Sequence, residues 1–230
     1  MYKILLLDLD DTILDFQKSE KVAISLLMKK YNVDPTEELI HRYHLINKKY
    51  WELFEQGKIE KSKLLVQRFD EFFNTLGYDN IDSEQVNKDY FEILSSVPFE
   101  IEGAYEFLEE ASKNYEIYII TNGAVQVQSK RLSKVNVTKF FKKIYMSEAI
   151  GYQKPEVRYF EYVLKDLNLE NKKDAVIIGD SISSDIQGGI NIGIDTIWYN
   201  PNKKTSHVKS TYEVKNYQEI LLILGSTGSI

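Results

Sequence analysis

Asp8 and Asp10 stand two residues apart, directly after the apolar run Ile4-Leu5-Leu6-Leu7. A continuous apolar run of that length suits a strand covered on both faces of a parallel sheet. If the strand continues through the pair, its period of two points both carboxylates the same way. They would then project from the carboxyl edge of the sheet, where α/β proteins bind ligands. Most Asp-x-Asp pairs are solvated surface charge; four apolar residues leading straight into this one weaken that reading. Adjacent carboxylates repel, and the usual remedy is a bound cation or a shared proton. Gly179-Asp180-Ser181-Ile182-Ser183-Ser184-Asp185 repeats the plan after Ala175-Val176-Ile177-Ile178. With two such strand ends side by side, Asp8, Asp10, Asp180 and Asp185 make an all-oxygen site. Oxygen ligands without Cys or His suit a hard ion, Mg²⁺ above all. Alternatively, Asp185 caps the helix that follows.

Two further segments carry weaker signals. Thr121-Asn122-Gly123 ends another apolar run and opens a helical pattern. It offers a hydroxyl, an amide and backbone N–H groups to an anion, although alone it reads as an ordinary N-cap. Lys154-Pro155, after Gly151-Tyr152-Gln153, supplies a cation just before a helix. Taken by itself, such a lysine faces solvent.

These residues need a sheet to hold them. Besides Ile4–Leu7 and Ala175–Ile178, strand-like runs occur at Glu116–Ile120 and Asp195–Trp198, with a weaker one at Lys143–Met146. Helical patterns at about Ala124–Lys134, Val157–Leu167 and Ser184–Asn191 separate them, so the alternation predicts an α/β domain with a parallel sheet. From about Asp15 to Val97 the pattern changes to four or so amphipathic helices, with Tyr43, Ile46, Tyr50, Leu53 and Phe54 at helical spacing. The expected division is therefore 1–14 plus 98–230 as the α/β core and 15–97 as an inserted helical domain. Leu224–Ile230, rich in Gly and Ser, is expected to fray.

The 230 residues, 43% hydrophobic, suffice for one large domain or two modest ones. A net charge of −6 argues against broad binding to nucleic acid polymers. Without cysteines, disulfides and thiolate metal sites do not arise. The first apolar run is too short for a signal peptide's core, and no run approaches a membrane span, so a cytoplasmic protein off the membrane is expected. Monomer and homodimer both remain open.

In order, Asp-x-Asp-x-Thr, strand-Thr-Asn-Gly, Lys-Pro and Gly-Asp-Ser-x-x-x-Asp resemble the four motifs of the haloacid dehalogenase (HAD) superfamily. The segment from Asp185 through Gly188, Gly189 and Gly193 resembles that family too. The resemblance spans essentially the whole chain and implies a Rossmann-like core. Carried over by motif, Asp8 is the nucleophile that forms an aspartyl-phosphate, and Asp10 the general acid/base. Thr121 and Lys154 bind the transferring phosphoryl group, with Asn122 and Gly123 beside them. Mg²⁺ is held by Asp8, the backbone carbonyl of Asp10 and Asp180, with Asp185 close by. Asp11 stands where many members carry Gly. This division of labour suits phosphoryl transfer, which needs positioning and charge neutralisation above all.

A helical insert between the first two motifs is the position of the cap in subfamily I (IA), and such caps select substrates. Ile46–Trp51, Glu55–Ile59 and Gln67–Phe69 within it, with Trp198-Tyr199-Asn200 later, resemble the YjjG/YfnB branch. That branch implies a 5'-nucleotidase acting on pyrimidine or noncanonical nucleoside monophosphates, a small phosphorylated substrate. Phe16, Asn47, Trp51 and Arg68 are the candidates for contacting it, whereas Tyr43, Tyr50 and Phe54 read as bundle core. His41 and His44 show no partner by spacing. A subfamily I sugar-phosphate phosphatase or phosphomutase shares every core motif and is the alternative. A phosphorylatable receiver-like module is shorter and lacks the insert. A true dehalogenase would not need Asp10.

Overall fold

The structure is a computed structural model and describes residues 2–226. In chain order, β1 (Ile4–Leu7) is followed by α1 (Phe16–Lys30), α2 (Glu37–Glu55), α3 (Lys61–Asn74) and α4 (Ser83–Ser96). Then come α5 (Ala104–Ala111), β2 (Glu116–Thr121), α6 (Val125–Leu132), β3 (Phe141–Met146), α7 (Ser147–Ile150) and α8 (Val157–Asp166). The chain closes with β4 (Ala175–Gly179), α9 (Gln187–Ile192), β5 (Asp195–Tyr199), β6 (Tyr212–Val214) and α10 (Tyr217–Ser226). None of the helices among the described residues is long and apolar enough to cross a membrane.

The chain falls into two compact units. One takes in the N-terminal segment through Asp15, Glu100–Val125 and the chain from Leu132; the other is Phe16–Phe99 with Gln126–Arg131. The first unit holds a six-stranded sheet in the order β3-β2-β1-β4-β5-β6, with every pair parallel. That Rossmann-like order reverses direction at β1, which is where open α/β sheets place ligands.

Alternation along β1 feeds two cores. Leu5 and Leu7 join Ile117, Ile119, Val176 and Ile178 in a cluster with Phe107 of α5 and Ile220 of α10. Ile4 and Leu6 join Ile177 in a second cluster with Phe160 and Val163 of α8. Both faces are therefore dry, which accounts for the unbroken apolar runs. Gly188 and Gly189 let α9 lie close, since a Cβ would come 2.4 Å from the Phe160 ring and 2.2 Å from Thr196.

The C-terminal expectation is corrected in part. Leu224 does not fray: it is buried in the core within α10, its carbonyl accepting the Tyr115 hydroxyl at 3.0 Å. Residues 227–230 of that stretch lie outside the described residues.

The helical unit is built on aromatic packing. Tyr43 of α2 stacks on Phe69 of α3 at 5.4 Å and meets Phe72 edge-on at 5.5 Å, while Phe69 meets Tyr90 of α4 at 5.3 Å. Tyr43 and Phe54 are buried, whereas Tyr50 is only half-buried.

Candidate functional site

The Asp8 N–H donates to Ile178 O at 2.9 Å, so the β1–β4 ladder runs one residue past β1. The strand does not continue to Asp10 as the spacing suggested. Asp10 instead bridges Leu14, and Asp11 takes φ +56° in a turn closed by Leu14 N–H to Leu9 O at 2.8 Å. Leu9, Ile13 and Leu14 are all fully buried and draw the loop back onto the core. Carboxylate oxygens of Asp8, Asp180 and Asp185 lie within 4.8 Å of one another, and among the described residues the Asp10 carboxylate is not part of that group.

Asp185 is fully buried and does not cap a helix. One oxygen accepts from the Ser181 N–H at 3.1 Å and the other from Lys154 Nζ at 2.6 Å, while Ser181 Oγ takes the capping bond from Ser184 N–H at 3.2 Å. Residues Ile182–Ile186 form a π-helical turn leading into α9, a wide winding often found at functional sites. Gly179 makes room for this: a Cβ there would sit 2.2 Å from the Asp185 carboxylate.

Lys154 is the buried cation of the cluster. Its ammonium donates to Asp8 at 2.7 Å, to Asp185 at 2.6 Å and to Ile120 O at 3.0 Å. Burial alone would lower its pKa, but the Asp185 and Asp8 charges outweigh that and hold it raised, so it stays protonated. The side chain of Asn122, expected at the substrate, is instead clamped to the Lys154 backbone. Its Nδ2 donates to Lys154 O and its Oδ1 accepts from Lys154 N–H, both at 2.9 Å. Thr121 is buried at the end of β2, its hydroxyl accepting from Gly123 N–H at 3.0 Å. The Thr12 hydroxyl accepts from the Asp180 N–H at 3.1 Å, tying the first acidic loop to the second.

Burial raises the pKa of Asp8 well above the carboxylate range; Lys154 opposes this, and Asp185 and Asp10 reinforce it. Asp180 is raised in the same way, by burial and then by Asp11, Asp8 and Asp185, against a weaker pull from Lys204. Three crowded carboxylates with one buried ammonium are thus short of positive charge, and a hard divalent cation fits an all-carboxylate set.

The chain belongs to the haloacid dehalogenase-like hydrolase family. The model of that family, Haloacid dehalogenase-like hydrolase, matches residues 5–199, which include Asp8, Thr121, Lys154, Asp180 and Asp185. The HAD-hydrolase YfnB of Bacillus subtilis is 35% identical over 100% of this chain and 98% of its own. Pyrimidine 5'-nucleotidase PynA of Streptococcus pneumoniae is also 35% identical, over 96% of this chain and 94% of its own. A crystal structure of YfnB bound to magnesium superposes with a TM-score of 0.92 at 36% identity, covering 97% of this chain and 99% of that one.

The other predicted contacts lie in the helical unit. Asn47 and Arg68 are buried in a polar chain. Glu20 accepts from Asn47 Nδ2 at 2.6 Å, and Arg68 donates to Asn47 Oδ1 at 2.7 Å and to Asn87 Oδ1 at 2.8 Å. Their polar groups serve this network. His44 Nδ1 stands 2.6 Å from Glu20, a partner that spacing did not reveal, and His41 is exposed. Trp51 packs edge-on to Phe54 at 5.8 Å, and the Phe16 ring lies 5.7 Å from the Arg131 guanidinium.

Proposed function

We propose that this HAD-family hydrolase is a Mg²⁺-dependent phosphatase of small phosphate monoesters, with nucleoside 5'-monophosphates as its substrates. The observation that carries the reading is the Asp8 carboxylate, bonded to a buried ammonium at 2.7 Å and grouped with Asp180 and Asp185. A nucleophile so placed is oriented and next to positive charge, and a cation bound among these acids would displace its proton and leave it anionic, which is what attack on a phosphate ester requires. Asp8, Asp180 and Asp185 would hold Mg²⁺, with the Asp10 carbonyl as the family pattern implies. When bound, the ion supplies charge neutralisation to the phosphoryl oxygens.

The remaining steps fall to the chain's own groups. An Asp8 oxygen attacks phosphorus, the ester oxygen departs, and Asp10 gives that oxygen its proton. The product alcohol leaves an aspartyl-phosphate on Asp8. Asp10, now a carboxylate, takes a proton from water, whose oxygen attacks phosphorus and releases phosphate with Asp8 restored. Lys154 holds Asp8 in position and stays charged throughout. Thr121 receives the phosphoryl oxygens, with Gly123 orienting its hydroxyl through the N–H at 3.0 Å, and Asn122 acts by fixing Lys154.

The nucleotide assignment draws on the name of the PynA relative and on the branch resemblance of the insert. By that resemblance the helical unit, 16–99, is assigned the selective role of a subfamily I cap. A phosphate-release panel spanning pyrimidine, purine and sugar phosphates, with and without Mg²⁺, tests the reading. Pyrimidine monophosphates are expected to turn over fastest, and chelation to abolish release. Sugar phosphates turned over far faster would overturn the nucleotide assignment; no release from any ester would overturn the phosphatase.

A further inference from the structure

The segment Trp198-Tyr199-Asn200 closes on Asp180 in two ways. The Trp198 indole N–H donates to the Asp180 carbonyl at 2.9 Å, and on the other side of that residue Thr12 receives its N–H at 3.1 Å. Both main-chain groups of Asp180 are thereby fixed, and with them the place of its carboxylate.

Asn200, 2% exposed, shapes the loop that follows. Its Oδ1 accepts from Lys204 N–H at 2.8 Å, and its Nδ2 donates to Lys204 O at 2.9 Å and to Glu213 at 2.7 Å. Lys203 enters the turn at φ +52°, its N–H donating to Asn200 O at 3.2 Å. The backbone of Lys204 is thus held on both its donor and its acceptor. From that anchor the ammonium of Lys204 comes 3.7 Å from Asp180 Oδ2, with 54% of the side chain exposed.

A half-exposed pair of this kind contributes little to folding by itself. Its place is what matters, because it sets a movable positive charge on an acid of a group that is short of positive charge. Lys154 cannot play that part, since its side chain is buried and already shared between Asp8 and Asp185. We propose that Lys204 is a placeholder cation for Asp180, which steadies the acidic group when no metal is bound and competes with Mg²⁺ for the same carboxylate. Two cations on one carboxylate repel, so the ammonium swings outward as the ion enters, and its flexible stem allows this. The inference rests on the metal-dependent reading above and adds a positioning residue that sets how tightly the ion is held.

The test is a Mg²⁺ titration by calorimetry on the full chain, paired with thermal melting in chelator, for wild type, Lys204→Met and Lys204→Arg. Lys203→Met and Lys209→Met control for the loss of a charge from the same loop. Lys204→Met is expected to bind Mg²⁺ about threefold more tightly and to melt earlier without metal. Lys204→Arg should track wild type on both, and the control variants should leave the affinity near wild type. Opposite movement of the two readouts is the signature, since a lysine that merely supported the loop would lower both. Unchanged or weaker binding in Lys204→Met, with wild type binding normally, would overturn the placeholder role alone. Absence of Mg²⁺ binding by wild type would overturn the metal reading beneath it.

Discussion

In the sheet unit the buried cation is Lys154, whose ammonium meets Asp8 and Asp185 at 2.7 and 2.6 Å, with Asp180 in the same carboxylate group. In the helical unit one of the buried cations is Arg68, joined to the buried Glu20 through Asn47 and to Asn87 beside it. Arg68 also lies 4.7 Å from the Phe69 ring centre and 5.1 Å from that of Tyr90. The helical network sets one carboxylate against one guanidinium through neutral amides, so its charges close on themselves. The sheet cluster sets several carboxylates against one ammonium and remains short of positive charge. Both bury charge at a cost, yet only the second leaves a demand that a ligand can meet. An uncompensated buried charge is therefore a better guide to function than buried polarity itself.

Removing each cation gives the largest effects. Lys154→Met and Arg68→Met should each lose about 3–5 kcal/mol, the usual consequence of stranding a buried charge. Denaturant unfolding with and without Mg²⁺ then separates them. Saturating Mg²⁺ should recover part of the loss in Lys154→Met and none in Arg68→Met, whereas adding Glu20→Gln should recover Arg68→Met. Equal rescue of both by Mg²⁺ would break the comparison.

Two glycines sharpen it at the next level. Gly179→Ala pushes a Cβ to 2.2 Å from the Asp185 carboxylate and should weaken Mg²⁺ binding roughly tenfold. Gly77, at φ +81° in the helical unit with open space around it, should lose only about 1 kcal/mol of stability as Ala, with unchanged Mg²⁺ affinity. Calorimetry on both variants checks the contrast.

A smaller effect follows from pH. Asp8 and Asp180 are held above the carboxylate range by burial and neighbouring acids, so between the unfolded and native values the native state binds more protons. Metal-free stability from these groups is therefore fullest at low pH and declines as pH rises through that window. Mg²⁺ competes with the same protons, so the gain in melting temperature on adding Mg²⁺ should grow with pH across it. A gain independent of pH would contradict the crowded-carboxylate account.

Much of this was legible in the sequence, for physical reasons that differ by element. β1, β2, β4 and β5 declare themselves because both faces of the sheet are covered, so apolar residues dominate each run. β6 was missed, being three residues at the sheet edge, and α5 was missed for want of more than two turns of pattern. Leu224 misled because Gly225 and Ser226 dominate the local composition while the side chain packs on distant strands. Residue types at the strand ends pointed to Asp8, Asp180 and Asp185, and the family resemblance added Thr121 and Lys154, but neither told how they are wired. Nothing local says that the Asn122 amide grips a backbone 32 residues away, or that Ser181 rather than Asp185 takes the cap. The Asp10 departure came from Leu9, Ile13 and Leu14, whose burial outweighs continuation of the strand. Asn47 and Arg68 were candidate ligand contacts because they fall in the insert segments that resemble the YjjG/YfnB branch; their mutual bonding is visible only once the helices are packed.

In the proposed mechanism Asp8 carries the phosphoryl group. Its most direct test is to mix the enzyme with a nucleoside monophosphate and Mg²⁺, quench, reduce any acyl phosphate with borohydride, and map the modified residue by tandem mass spectrometry. Reduction is predicted at position 8 alone, absent in Asp8→Asn, whose phosphate release should fall by at least about a thousandfold. Undiminished release by Asp8→Asn, or a reduced acid elsewhere in the chain, would contradict it.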